Sequence, residues 1–212
     1  MTAFDAVLFD YGGVFTTSPF NAVGDRGSDL GVDPKLLVDT IFGPYDTDTD
    51  HPWHRLERGE VTLERAVEAI VALGDEHGID ANPFKFFAAM GAGGIQQVVV
   101  ECARRLRTDG IRTALVTNNA AEFREGWRKS IPVDELFDVV VDSSEEGVRK
   151  PDPRIFERTL ERLGVQAASS VFLDDYAGNI EAAQALGIHG VLVGRDPSLA
   201  VAEVDRLIPR KT

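Results

Sequence analysis

One cysteine, Cys102, in 212 residues excludes an intrachain disulfide and any cysteine-built metal site, and fits a reducing compartment. Its setting in Val98-Val99-Val100-Glu101-Cys102-Ala103 suggests the buried face of a helix. Long apolar runs are also missing. The start Met1-Thr2-Ala3-Phe4-Asp5 carries no basic stretch, and the run that follows is too short for a signal peptide or a membrane span, so a cytoplasmic protein without a membrane partner is expected. Positive charge is scarce as well: 22 basic against 35 acidic side chains give a net charge of -13, which disfavours nucleic acid and suits a protein with a cation site. There is no internal repeat and no low-complexity tract. What remains, 43% hydrophobic and 27% charged residues, is a globular composition with length for one domain and a substantial insertion.

Apolar strand candidates lie at 5–10, 111–117, 138–142, 169–173 and 189–193, with amphipathic helical stretches at 95–108, 119–129, 152–163 and 176–186. Gly110, Gly164 and Gly187 stand where helix C-termini favour a residue tolerant of positive φ. Strands alternating with helices predict an α/β fold with a doubly wound parallel sheet. Residues 16–94 hold helical patterns, such as Thr62 to Ile70, and no convincing strand. We therefore expect a core of 1–15 and 95–212 and a helical module of 16–94 inserted after the first strand, with Thr16 to Pro19 and Gly91 to Gly94 as its hinge.

Asp10 ends the run Ala6-Val7-Leu8-Phe9 and is followed by Tyr11-Gly12-Gly13, a carboxylate at the point where a buried strand meets a flexible turn. In open α/β sheets ligands gather there, and such a carboxylate attacks an electrophile once its charge is neutralised; an isolated strand-end Asp is otherwise a turn or capping residue. Thr117-Asn118-Asn119 follows the second strand and presents a hydroxyl and amides to hold phosphate oxygens, or else caps the next helix. Lys150 stands before Pro151-Asp152-Pro153, which keeps it out of helical geometry and aims an ammonium at a place where two anions would meet. Asp174-Asp175 ends the fourth strand, with Asn179 beyond. Adjacent buried carboxylates repel, so the pair suggests a shared hard cation such as Mg²⁺, or one capping Asp and one facing water.

Taken in order, Asp10, Thr117 with Asn118, Lys150 in Arg149 to Phe156, and Asp174-Asp175 with Asn179 resemble the motifs of the haloacid dehalogenase superfamily of hydrolases over nearly the whole chain. Ser143 to Val193 is similar to its small-cap phosphatases, and His54 to Glu60 resembles cap sequence of its sugar-phosphate branch, bacterial α-glucose-1-phosphatase included. The resemblance implies a Rossmann-like core under a helical cap. It implies Mg²⁺ held by Asp10, the carbonyl of Gly12 and Asp175, with Asp174 behind or acting through water. It further implies that Asp10 forms an aspartyl phosphate that water hydrolyses, with Thr117, Asn118 and Lys150 holding the phosphate. The expected substrate is a small phosphorylated metabolite, a sugar phosphate among the candidates, and the expected state a monomer or homodimer.

One position departs from the family pattern. Where the family's phosphatases carry a second Asp, the general acid, this chain has Gly12. General acid–base catalysis is worth about 10²–10⁴-fold, while phosphate monoester hydrolysis can be accelerated up to ~10²¹-fold, so turnover can survive the loss. Tyr11, His51, His54 and Glu57 are candidate replacement donors, and His54 is also a candidate substrate contact. Arg55, Arg58 and Lys85 could meet an anionic substrate or be ordinary surface charges. Asp46, Asp48 and Asp50 read as an exposed acidic loop, and Pro83 to Phe87 as cap core. The alternatives are a phosphate- and Mg²⁺-binding relative without turnover and, less well matched because it needs no acidic pair, a dehalogenase.

Overall fold

In the computed structural model, residues 4–85 and 94–210 are described. Strands β1 (Ala6–Phe9), β2 (Arg112–Thr117), β3 (Val139–Asp142), β4 (Ser170–Asp174) and β5 (His189–Leu192) form one parallel sheet in the order β3-β2-β1-β4-β5. All five lie within a residue or two of the expected ranges. The expected helices are present at Gln97–Thr108, Pro153–Leu163 and Ala177–Ala185, while 119–129 is a 3₁₀ turn, Ala121–Phe123, running into Arg124–Ser130. Short helices at Val133–Leu136 and Ser143–Glu146 have no periodic signature in the sequence, being too short to show one.

Every residue of β1 is fully buried, as a central parallel strand covered on both faces requires. Val7 and Phe9 face one side with Leu115, Val171 and Leu173 against helices Gln97–Thr108 and Pro197–Leu207. Ala6 and Leu8 face the other with Ala114, Val116 and Phe172 against Pro153–Leu163 and Ala177–Ala185. Cys102 lies on the buried face of its helix, as expected, and burial pushes its thiol up to about 11.

Between β1 and Gln97 the described residues form helices Pro19–Leu30, Pro34–Phe42, Pro52–Glu57 and Leu63–Glu76. Ser18, Asp33 and His51 accept a backbone N–H at the starts of the first three, each ahead of a proline at the first helical position; Thr62 caps the fourth. These helices bury a cluster of their own around Leu37, Ile41, Phe42, Trp53, Leu56 and Ile70, which reaches Ala120 and Phe123 beyond β2. Gly91 to Gly93 of the expected hinge, and Phe86 and Phe87 of the expected cap core, lie outside the described residues; Phe84 is exposed. Among the described residues no helix is long and apolar enough to cross a membrane.

Candidate active site

The strand order reverses between β1 and β4, so their carboxyl ends border a crevice. Phe9 is in register with Leu173 and Asp10 N donates to Leu173 O, which sets Asp10 beside Asp174. Thr117 ends β2 on the other side of β1. The sheet thus delivers residues from separate motifs to one edge.

Lys150 is buried and its Nζ lies 2.7 Å from both Asp10 Oδ1 and Asp174 Oδ2. Burial works against the ammonium, but the two carboxylates outweigh it and hold its pKa above the ordinary value. Asp174, fully buried, has both oxygens committed: Oδ2 to Lys150, both to Asn179 Nδ2, and Oδ1 also to Tyr176 N at 2.8 Å. Asp175 differs, since its Oδ2 is buried without a hydrogen-bond partner. Oxygens of Asp10, Asp174 and Asp175 converge to within 4.8 Å of one another.

Three carboxylates around one ammonium leave the cluster short of positive charge. Burial raises Asp10 to about 7, with Lys150 opposing and Asp174 adding to the rise. Burial and the charges of Asp174 and Asp10 hold Asp175 well above the carboxylate range. The unpartnered Asp175 Oδ2, beside Asp10, suits a hard divalent cation with oxygen ligands. Gly13, at φ 77, permits the packing: a Cβ there would stand 2.1 Å from Asp175 Cγ.

A cavity of about 510 Å³ opens from this cluster. Asp10, Gly12, Thr117, Asn118, Lys150, Asp175 and Asn179 line it, together with Trp53 and Glu57 of helix Pro52–Glu57 and Tyr45 of the turn before that helix. Asn118, expected to hold phosphate, lines the cavity with its side chain committed elsewhere: Oδ1 accepts from Lys150 N at 2.8 Å, and Nδ2 donates to Lys150 O at 3.0 Å. Its side-chain amide thus bridges both main-chain polar groups of Lys150.

The candidate proton donors divide. Tyr11 and Glu57 line the cavity; His51 and His54 do not. His54, expected as a substrate contact, is fully buried on helix Pro52–Glu57, where Nδ1 accepts from Thr49 N at 3.1 Å and the ring packs inward against Gly43. Burial, with Arg149 adding to it, lowers His51 to about 4 and His54 to about 3. The Tyr11 hydroxyl lies 2.7 Å from Ser130 Oγ. Arg55 and Arg58 pair with Glu60, and Lys85 with Asp80; none of the three lines the cavity. Asp46, Asp48 and Asp50 are exposed as expected, though Asp46 accepts from Tyr176 OH at 2.8 Å and Asp48 pairs with Arg58.

Glu57 and Arg149 form a pairing that the sequence does not disclose. Glu57 Oε2 accepts from Arg149 Nε at 2.7 Å, and Oε1 accepts from Tyr45 OH at 2.6 Å and Trp53 Nε1 at 2.8 Å. The Arg149 guanidinium lies 4.4 Å from the Tyr45 ring centre, and Ser143 Oγ donates to the Glu57 carbonyl at 2.6 Å. Arg149 stands next to Lys150 in a motif already singled out, but its partner is in a distant segment.

The haloacid dehalogenase-like hydrolase family matches residues 4–187. Mouse acyl-CoA dehydrogenase family member 10 is 33% identical over 211 residues, which are 97% of this chain and 19% of that protein, so the chain spans about a fifth of this relative. Sesquiterpene phosphatase astK of Aspergillus oryzae is 28% identical over 193 residues, 90% of each chain. Among solved structures, a dehalogenase superposes with a TM-score of 0.68 at 18% identity over 100% of both chains. A Bacteroides thetaiotaomicron enzyme of the family, in complex with magnesium and inorganic phosphate, gives 0.60 at 20% identity over 91% of this chain and 95% of that one. At these identities the structural likeness is one of fold. The relatives support the superfamily and its phosphatases; the narrower likeness to α-glucose-1-phosphatase is not carried by them.

Proposed function

The chain belongs to the haloacid dehalogenase-like hydrolases, and from that membership we propose that it hydrolyses a small phosphate monoester with Asp10 as nucleophile and Mg²⁺ as cofactor. The observation that carries this reading is the buried array of Asp10, Lys150, Asp174 and Asp175 from which the cavity opens. The phosphatase names among the relatives, and the magnesium and phosphate bound by a structural neighbour, support it.

In this reading Asp10 attacks phosphorus, the P–O bond to the alcohol breaks, and water hydrolyses the aspartyl phosphate. Lys150 offsets the repulsion between the attacking carboxylate and the phosphate, held in place by Asp174 and Asn118. Thr117 presents its hydroxyl to the phosphate oxygens. Asp10, the Gly12 carbonyl and Asp175 would hold Mg²⁺, which supplies further charge neutralisation when bound. Residues 16–94 act as the cap over a core of 1–15 and 95–212. With Gly12 in place of an acid, His51 and His54 away from the cavity, Glu57 tied to Arg149 and Tyr11 beside Ser130, none of these four candidate donors is poised to protonate the leaving oxygen, so good leaving groups or a proton from water are favoured.

Cleavage of a carbon–halogen bond would use the same aspartate but has no need of a second carboxylate with a buried oxygen left unpartnered. The deciding experiment is hydrolysis of an aryl phosphate with and without Mg²⁺, for the native chain and Asp10→Asn. Mg²⁺-dependent turnover abolished by the substitution supports the reading. Turnover at the Asp10→Asn background, with Mg²⁺ and phosphate still binding, supports a binding protein without catalysis.

A further inference from the structure

Away from the carboxylates, the wall of the cavity is largely aromatic, with Phe20, Phe42, Tyr45, Trp53, Phe123 and Trp127 in it beside the smaller Thr16 and Thr17. Lys150 is the only basic side chain among its described lining residues. The polar groups of the wall are largely engaged with protein. The Glu57 carboxylate accepts from Tyr45, Trp53 and Arg149, the Asn118 amide is bound to Lys150, and Asn119 Nδ2 donates to Asp142 at 2.9 Å. Glu122 accepts from Leu63 N at 2.8 Å, fastening a second inserted helix to the core.

Resting on the phosphatase reading above, we infer that this cavity takes the phosphate monoester of an apolar alcohol, aliphatic or aromatic, and not that of a sugar. A sugar entering here would lose the hydration of several hydroxyls against a wall that is mainly aromatic and whose Glu57 and Asn118 side chains are already paired, and a buried polar group left without a partner is penalised. An alkyl or aryl group loses no hydrogen bond and removes aromatic surface from water. At about 510 Å³ the space is of the size that small organic ligands fill. With one basic side chain, a single phosphate is the anion it matches.

The chain has two tryptophans, Trp53 and Trp127, and both line the cavity, so its intrinsic fluorescence reports occupancy. The test is a fluorescence titration, with Mg²⁺ present, by non-hydrolysable n-alkylphosphonates from propyl to octyl below their micellar concentrations, and by the phosphonate analogue of a hexose phosphate. The expected result is an affinity that tightens roughly three- to fourfold per added methylene until the space is filled. The hexose analogue should bind no tighter than propylphosphonate, and Phe123→Ser should weaken octyl more than propyl binding. Affinity independent of chain length, or a hexose analogue tighter than octylphosphonate, overturns the inference. Hydrolysis of the matching alkyl and hexose phosphates separates the two readings. Chain-length-dependent binding without Mg²⁺-dependent turnover of an aryl phosphate, whose leaving group needs no acid, removes the phosphatase reading and leaves the apolar preference standing; faster turnover of the hexose phosphate than of the alkyl phosphates does the reverse.

Discussion

Arg149 Nε donates to Glu57 Oε2 across 2.7 Å, with both side chains buried, so the residue before Lys150 is held by the last residue of an inserted helix. Burial works against the Arg149 charge, yet Glu57 and Tyr45 keep its pKa above the ordinary value. Removing one partner of such a pair leaves the other charged and buried, at a cost of about 3–5 kcal/mol. Arg149→Met should therefore lower the unfolding free energy by that amount in urea titrations. Adding Glu57→Gln should recover part of the loss, because the stranded carboxylate is gone.

Asn118→Ala removes the amide that holds both the N–H and the C=O of Lys150. Small misplacements of a catalytic group cost on the order of 10²-fold, so kcat on an aryl phosphate should fall by about that factor while far-UV circular dichroism is unchanged. A drop confined to KM would point to direct phosphate binding by the side chain.

Gly13→Ala places a Cβ 2.1 Å from Asp175 Cγ and at a φ of 77, where only glycine is at ease. Asp175 must move, so the variant should need a higher Mg²⁺ concentration for half-maximal activity, read from metal titrations of the rate. An unchanged Mg²⁺ dependence would argue against Asp175 as a ligand.

At Gly12 φ is not positive, and a Cβ would meet Pro19 Cδ at 3.9 Å and nothing closer, so a side chain can be accommodated. Gly12→Asp should restore an acid and raise kcat/KM for alkyl phosphates by about 10²-fold relative to an aryl phosphate, whose leaving group needs no proton. Equal changes on both substrates would count against a missing acid.

His51 and His54 titrate at about 4 and about 3 in the fold, below the ordinary value of 6.5. Below pH 6.5 these two side chains take up protons in the unfolded chain that the folded chain refuses, so their contribution to stability is full above that pH and is lost as pH falls through 6 and 5. Each histidine contributes a slope of at most about 1.4 kcal/mol per pH unit. Asp10 and Asp175, raised in the fold, act in the opposite sense over the same range, so the histidine part is read by difference: relative to the native chain, His54→Asn, which keeps an acceptor for Thr49 N, should lose less stability, or gain more, between pH 7 and pH 5 in urea titrations.

What the sequence alone determined is local. Ala6 to Phe9 is apolar at every position and must be a buried strand, the other strand candidates announce themselves in the same way, and Pro19, Pro34, Pro52 and Pro153 punctuate helix starts. Once parallel strands are granted, residues at their carboxyl ends share an edge, which is why Asp10, Thr117 and Asp174-Asp175 could be read as one constellation before any coordinate. Tertiary structure alone decided the rest: that Asn118 serves Lys150, that His54 turns inward, that Glu57 pairs with Arg149, and that aromatic residues from separate segments make one wall. Periodicity records which face of an element is buried but not which distant element covers it. A hydrogen bond depends on distances of a few tenths of an ångström, and those are set only when the whole chain packs.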